Sequence, residues 1–180
     1  ELAFILTGSD DLVQFGQAAQ QHEGQRQQGH HGDQQEGMGM AQVVTLSQLY
    51  TGDIHHGFAE NDTALAQYRA ARISAKAAGM PYVEGLSLIH AARALSALGR
   101  IPEALDDAGT AFAIADSMDN DELRRNARNC VGEMLLASGR AADAIVQFDS
   151  ALALGRRIGT ADERFYAQSM GDIAWRKGRV

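Results

Sequence analysis

The sequence predicts an all-α fold in which antiparallel helix-turn-helix units stack into a solenoid. Three observations lead there. From about Met40 onward, apolar and alanine positions recur at three- and four-residue spacing, the period of a helix with one buried face. Glycines at 79, 99, 139, 159 and 178 punctuate that pattern at steps of about 20 residues or twice that. The chain also matches itself at an offset of 40 residues.

Composition sets the outer limits. With 180 residues, 45% of them apolar and 22% charged, the chain has the make-up of one globular domain or one short repeat array. It can bury a core without disulfides. No run of 18 apolar residues is present, so no transmembrane helix is expected, and no signal-peptide pattern is visible. The single cysteine, Cys130, excludes an internal disulfide and a multi-cysteine zinc site. A reducing, cytoplasmic setting is therefore expected. The net charge of −7 speaks against a duplex nucleic-acid footprint, which needs clustered Lys and Arg.

Residues 1–40 stand apart. They carry six acids against one base, Arg26, and between Gly16 and Gly37 hold eight Gln, five Gly and three His. A segment so poor in apolar side chains cannot offset its ordering entropy by burial. It is expected to be a loop or weak helix, preceded by the apolar run Leu2–Leu6. Residues 41–180 are expected to hold about three and a half repeats. Gly52 heads the first unit, and its second helix is marked by Ala64, Leu65, Tyr68 and Ala71. Gly79 ends that helix in a left-handed cap, and Pro81 opens the next, where a missing N–H costs nothing. Gly99 and Pro102 repeat the device. In register, Ala64 falls on Ala104 and Ala144, Tyr68 on Ala108 and Phe148, and Ala71 on Ala111 and Ala151. Gly52 falls on Ala92 and Gly132 and, one residue short of register, on Gly171. Small residues at these points let two helices approach closely, and each hairpin leaves an apolar face for the next. The chain begins at Glu1 and stops where another second helix is due, after a first helix over about 161–177. It is therefore expected to be part of something longer, with an apolar end near Phe165, Ile173 and Trp175 that favours self-association.

This arrangement resembles the tetratricopeptide repeat (TPR) family in a form of about 40 residues, over residues 41–180. The second-helix signature of Ala, an aromatic four on and Ala three later reads Ala64/Tyr68/Ala71, Ala104/Ala108/Ala111 and Ala144/Phe148/Ala151. The tryptophan position of the family's first helix is held instead by Gln48, Leu88, Arg128 and Ala167, so first-helix packing is expected to differ. The phrase Leu98-Gly99-Arg100-Ile101-Pro102-Glu103-Ala104-Leu105 is similar to stretches in bacterial transcriptional regulators and signalling ATPases. The resemblance implies a right-handed superhelix that binds proteins or peptides, or other domains of its own chain, as a non-catalytic regulatory scaffold. A peptide or small-molecule sensor using the concave groove is the alternative it leaves open.

Catalytic signatures are absent: there is no Walker-type loop, no nucleophile elbow and no strand to carry a dinucleotide fingerprint. His90 and Cys130 share a register and so sit on neighbouring first helices, where a small buried thiol is the ordinary reading. Of His22, His30-His31 and His55-His56, the last pair are helical neighbours that face different ways, and His30-His31 lie in the Gln-rich stretch, where flexibility opposes a preformed metal site. No enzyme activity, cofactor or metal is expected. Position by position, the resemblance places Leu49, Asp53 and His56, then Ile89, Arg93 and Ser96, then Asn129, Glu133 and Leu136, then Gln168, Asp172 and Trp175 on the concave face. Asp53, Arg93, Glu133 and Asp172 share one repeat position and are expected to form a row, mainly acidic, that suits a basic or polar peptide. Asn126 and Asn129 would bond a peptide backbone, and Trp175 would anchor an apolar side chain. Arg124, Arg125 and Arg128, beside Asp119, Asp121 and Glu122, read as a solvated charged turn rather than a nucleic-acid contact.

Overall fold

A computed structural model describes residues 32–159, 166 and 168–171. The chain divides into residues 1–38 and 39–180, and the packing below belongs to the second part. Six helices are laid out: α1 Gly32–Gly57, α2 Asn61–Ala77, α3 Pro81–Ala97, α4 Ile101–Ser117, α5 Asp121–Ala137 and α6 Ala141–Arg157. The last five are each 17 residues long and start every 20 residues. Residues 168–171 are helical again, and no strand occurs among the described residues.

The 20-residue rhythm comes from one turn used repeatedly. In the turn after α2, the N–H of Met80 bonds the carbonyl of Ala75 at 2.9 Å and that of Gly79 bonds Lys76 at 3.2 Å. This is a Schellman closure, which needs the donor just past the helix end, here Gly79, in the left-handed conformation. Gly79, Gly99, Gly139 and Gly159 supply it with φ between 65° and 82°. Met80 also caps α3, its carbonyl accepting from the Glu84 N–H. One helix therefore ends and the next begins within two residues. Sequence reading found these glycines but missed two further members of the series. Ala59 (φ 61°) and Asp119 (φ 51°) occupy the same turn position without being glycine. Gly178 lies outside the described residues.

α1 starts at Gly32 rather than near Met40, so the expected loop or weak helix gives way to helix from that point. Gln and Glu are good helix formers, and backbone propensity does not require an apolar face.

Burial repeats with the sequence. On the second helices the buried stripe is Ala64/Tyr68/Ala71/Ala75, Ala104/Ala108/Ala111/Ala115 and Ala144/Phe148/Ala151/Gly155. These positions lie at i, i+4, i+7 and i+11, one face of a helix. In the first hairpin, a Cβ on Gly52 would lie 2.4 Å from Tyr68 Cε1; in the third, one on Gly132 would lie 2.5 Å from Phe148 Cε1. In the middle hairpin, Ala92 and Ala108 occupy these two positions, both fully buried. Each hairpin thus meets its partner helix either through a ring against a bare Cα or through two methyls. Successive first helices also touch, with Leu123 of α5 lying against Gly85 of α3. Tyr166 and Met170 pack on Leu135, Leu136, Ala144 and Phe148.

Candidate functional site

The first helices α1, α3 and α5 carry the residues expected to line a ligand face. Leu49, Ile89 and Leu136 do not present there. They are 5%, 1% and 7% exposed and belong to the core. The polar residues of that face, His56, Asp53, Arg93, Asn126, Asn129 and Glu133, are all half-buried, and Gln168 is exposed. Asp172 and Trp175 lie outside the described residues, as do Phe165, Ile173 and the histidines at 22, 30 and 31.

Asp53, Arg93 and Glu133 do not form an open acidic row. Arg93 Nε bonds Glu133 Oε2 at 3.0 Å and an Nη bonds Oε1 at 3.3 Å, a two-pronged pair tying α3 to α5. Burial alone would lower the Arg93 pKa, but the Glu133 carboxylate reverses this and holds it raised. Asp53 turns to other partners. Its Oδ1 accepts from the Tyr68 hydroxyl at 2.8 Å and lies 2.7 Å from His90 Nδ1. A carboxylate only accepts, so the imidazole proton sits on Nδ1. The Tyr68 and His90 rings lie 5.4 Å apart, centre to centre, at a 49° tilt. Burial pushes the His90 pKa down despite the opposing pull of Asp53, and burial raises the Tyr68 hydroxyl well above its ordinary value, helped by Asp53. Tyr68 and His90 were missed as partners of Asp53. The signal was there: His90 stands 37 residues on, one helical turn short of the repeat, and so faces the same neighbour.

His90 and Cys130 do not work together. The Cys130 thiol is fully buried, donates to the Ile89 carbonyl at 3.8 Å and is pushed up by burial to about 12. A thiol so held is not a nucleophile at neutral pH. His55 and His56 part as expected of neighbours on a helix. His55 Nδ1 lies 2.6 Å from Glu60 Oε2 and His56 Nδ1 lies 2.7 Å from Asn61 Oδ1, tying the α1–α2 turn. Among the described residues, no group of three or more His, Cys, Asp and Glu is placed to hold a metal ion.

The arginine cluster also separates. Arg124 gathers Asp116, Asp119 and Asp121 at 3.0, 2.8 and 3.0 Å and fastens the α4–α5 turn. Arg128 leaves the turn. Its guanidinium carbon stands 4.6 Å from the centre of the Phe112 ring, and an Nη bonds Gln147 Oε1 at 2.9 Å. Asn126 accepts from Arg125 at 3.0 Å, whereas Asn129 makes no side-chain hydrogen bond among the described residues.

A solved structure of a TPR-like protein from Chlorobium tepidum aligns with a TM-score of 0.59 at 20% identity, covering 77% of this chain and 97% of that one. The fold is TPR-like. No protein-family model and no curated protein matches the sequence. The TPR-like stack puts every first helix beside the next, which is why Asp53 reaches His90 and Arg93 reaches Glu133. Among the described residues no helix is long and apolar enough to cross a membrane.

Proposed function

We propose that this chain is a non-catalytic scaffold that binds a protein or peptide across α1, α3 and α5, as the regulatory TPR segment of a larger bacterial signalling or transcription protein in the cytoplasm. One observation carries the reading. The stack uses its charged groups to lock hairpin to hairpin, yet leaves the Asn129 amide without a partner among the described residues and Gln168 exposed. Neutral amides donate and accept at once, which suits the backbone of an extended peptide. The paired Arg93 and Glu133, the latter one helical turn from Asn129, add a charge-balanced wall. TPR-like folds commonly serve as interaction scaffolds, an analogy of fold that the test must replace with a site.

The experiment is affinity capture with the full chain beside an Asn129→Ala/Gln168→Ala variant, whose thermal unfolding is checked first. The Asn129 side chain makes no hydrogen bond among the described residues and Gln168 is exposed, so the variant is expected to melt like the parent. A partner kept by the parent and lost by the variant supports the face. A partner captured equally by both overturns this placement.

A further inference from the structure

A second surface stands on the other helices. Between α2 and α4, over α3, lies a cleft of about 240 Å³ lined by Tyr68, Arg69, Arg72, Leu88, Asp107 and their neighbours. That volume is below the roughly 300 Å³ at which small-molecule sites begin, and suits a single side chain. Its floor is formed by the buried Leu88, Ala91 and Leu95, and its α4 wall carries Glu103, Asp106 and Asp107.

The repeat shows what belongs there. One groove further on, between α4 and α6, the positions of Arg72, Leu88 and Asp107 are held by Phe112, Arg128 and Gln147. In that groove the Arg128 guanidinium covers the Phe112 ring and bonds Gln147, bridging the two second helices. In the first groove Leu88 is too short to do so, and Asp107 replaces the neutral Gln147. Arg72 is drawn toward Glu84, 3.7 Å away, and Arg69 toward Glu103 at 4.0 Å. Asp107 is left half-buried with no ion-pair partner among the described residues, its pKa raised by burial against the pull of Arg72 and Arg69. Arg100 also pairs with Glu103, so three arginines meet four carboxylates, counting Glu84, and Asp107 is the half-buried carboxylate left without an ion pair among the described residues.

We propose that the α2–α4 cleft is a docking slot for an arginine side chain of a partner protein, its guanidinium lying over Leu88 and against Asp107 where Arg128 lies in the next groove. A planar fork of donors can meet the Asp107 carboxylate through two hydrogen bonds. This slot is separate from the α1–α3–α5 face. Its failure leaves the scaffold reading standing, because its test touches neither Asn129 nor Gln168.

The test is an amide-shift titration of the full chain with N-acetyl-arginine methylamide, beside its lysine and citrulline counterparts. Expected are saturable shifts in the millimolar range centred on residues 69, 72, 88, 91 and 107. The lysine probe should bind more weakly, and citrulline, neutral and of equal size, should not bind. Asp107→Asn should weaken the arginine probe about tenfold, the loss of a charge-assisted pair. Leu88→Arg combined with Asp107→Gln copies two of the three residues that fill the neighbouring groove, and should abolish binding by filling this one. Asp107→Asn alone keeps the test decisive if that double variant does not fold. Absence of saturable shifts, shifts centred elsewhere, equal binding of lysine or citrulline, or an unchanged affinity in Asp107→Asn would each overturn the proposal.

Discussion

Replacing Gly132 by alanine should have opposite effects in two backgrounds. The new Cβ would lie 2.5 Å from Phe148 Cε1 and 2.8 Å from both Cδ1 and Cζ. Ring atoms this close must move, and Phe148 is 2% exposed with little room to do so. Overpacking of this kind costs about 1–3 kcal/mol. Alanine recovers about 0.5–1 kcal/mol of helix propensity. The net loss in the native background is therefore about 0–2.5 kcal/mol. Phe148→Ala alone should cost about 3–5 kcal/mol by removing a buried ring. Once the ring is gone, the clash is gone, and Gly132→Ala should stabilise by about 0.5–1 kcal/mol through propensity alone. The double variant then carries the same Ala/Ala pair that the middle hairpin has in Ala92 and Ala108. Equilibrium urea unfolding followed by far-ultraviolet circular dichroism measures all four proteins, with constant m-values as the check on a single transition. Effects of Gly132→Ala that agree within about 0.5 kcal/mol in the two backgrounds would refute the ring-on-glycine contact.

Three further outcomes follow from the same geometry. Ala59→Gly should stabilise by about 0.5–1 kcal/mol, because Ala59 sits exposed at φ 61° with a Cβ that disfavours that conformation; a lowered urea midpoint would contradict it. His90 has a folded pKa below its unfolded value, lowered by burial and by the nearby Arg93 and His56 against the pull of Asp53. The unfolded chain thus takes up the proton first, and the stability His90 contributes is complete above about pH 6.5 and lost as pH falls from there through the folded pKa. A melting temperature that drops between about pH 7 and 5.5 in the parent but less in His90→Gln is expected, and parallel curves would remove His90 as the cause. Cys130, fully buried and with its pKa up at about 12, should react with a thiol reagent far more slowly in the native protein than in urea; comparable rates would mean the thiol is open.

Much of this molecule was legible along the chain because its determinants are local. A left-handed turn every 20 residues favours glycine, and four of the six such positions among the described residues announce themselves as glycine. Ala59 and Asp119 hid because their φ is imposed by the helices on either side rather than by their own preference. The second-helix stripe from Ala64 to Ala151 was readable because one face of a helix must be small and apolar wherever its partner lies. Its fourth members, Ala75, Ala115 and Gly155, extend the same period.

By itself the sequence determined the helices, their turns and the 40-residue register, since each depends on backbone preference and on spacing within one helix. Only the tertiary structure decided which charges meet. Asp53, Arg93 and Glu133 share a repeat position, yet Arg93 takes Glu133 and Asp53 takes His90 and Tyr68. That choice depends on how each helix is rotated against the next and how far each side chain reaches, and neither is a function of spacing alone. The same holds for the groove over α3. Leu88 and Arg128 stand in one register, but only packing shows that the longer side chain fills its groove while the shorter leaves a cleft.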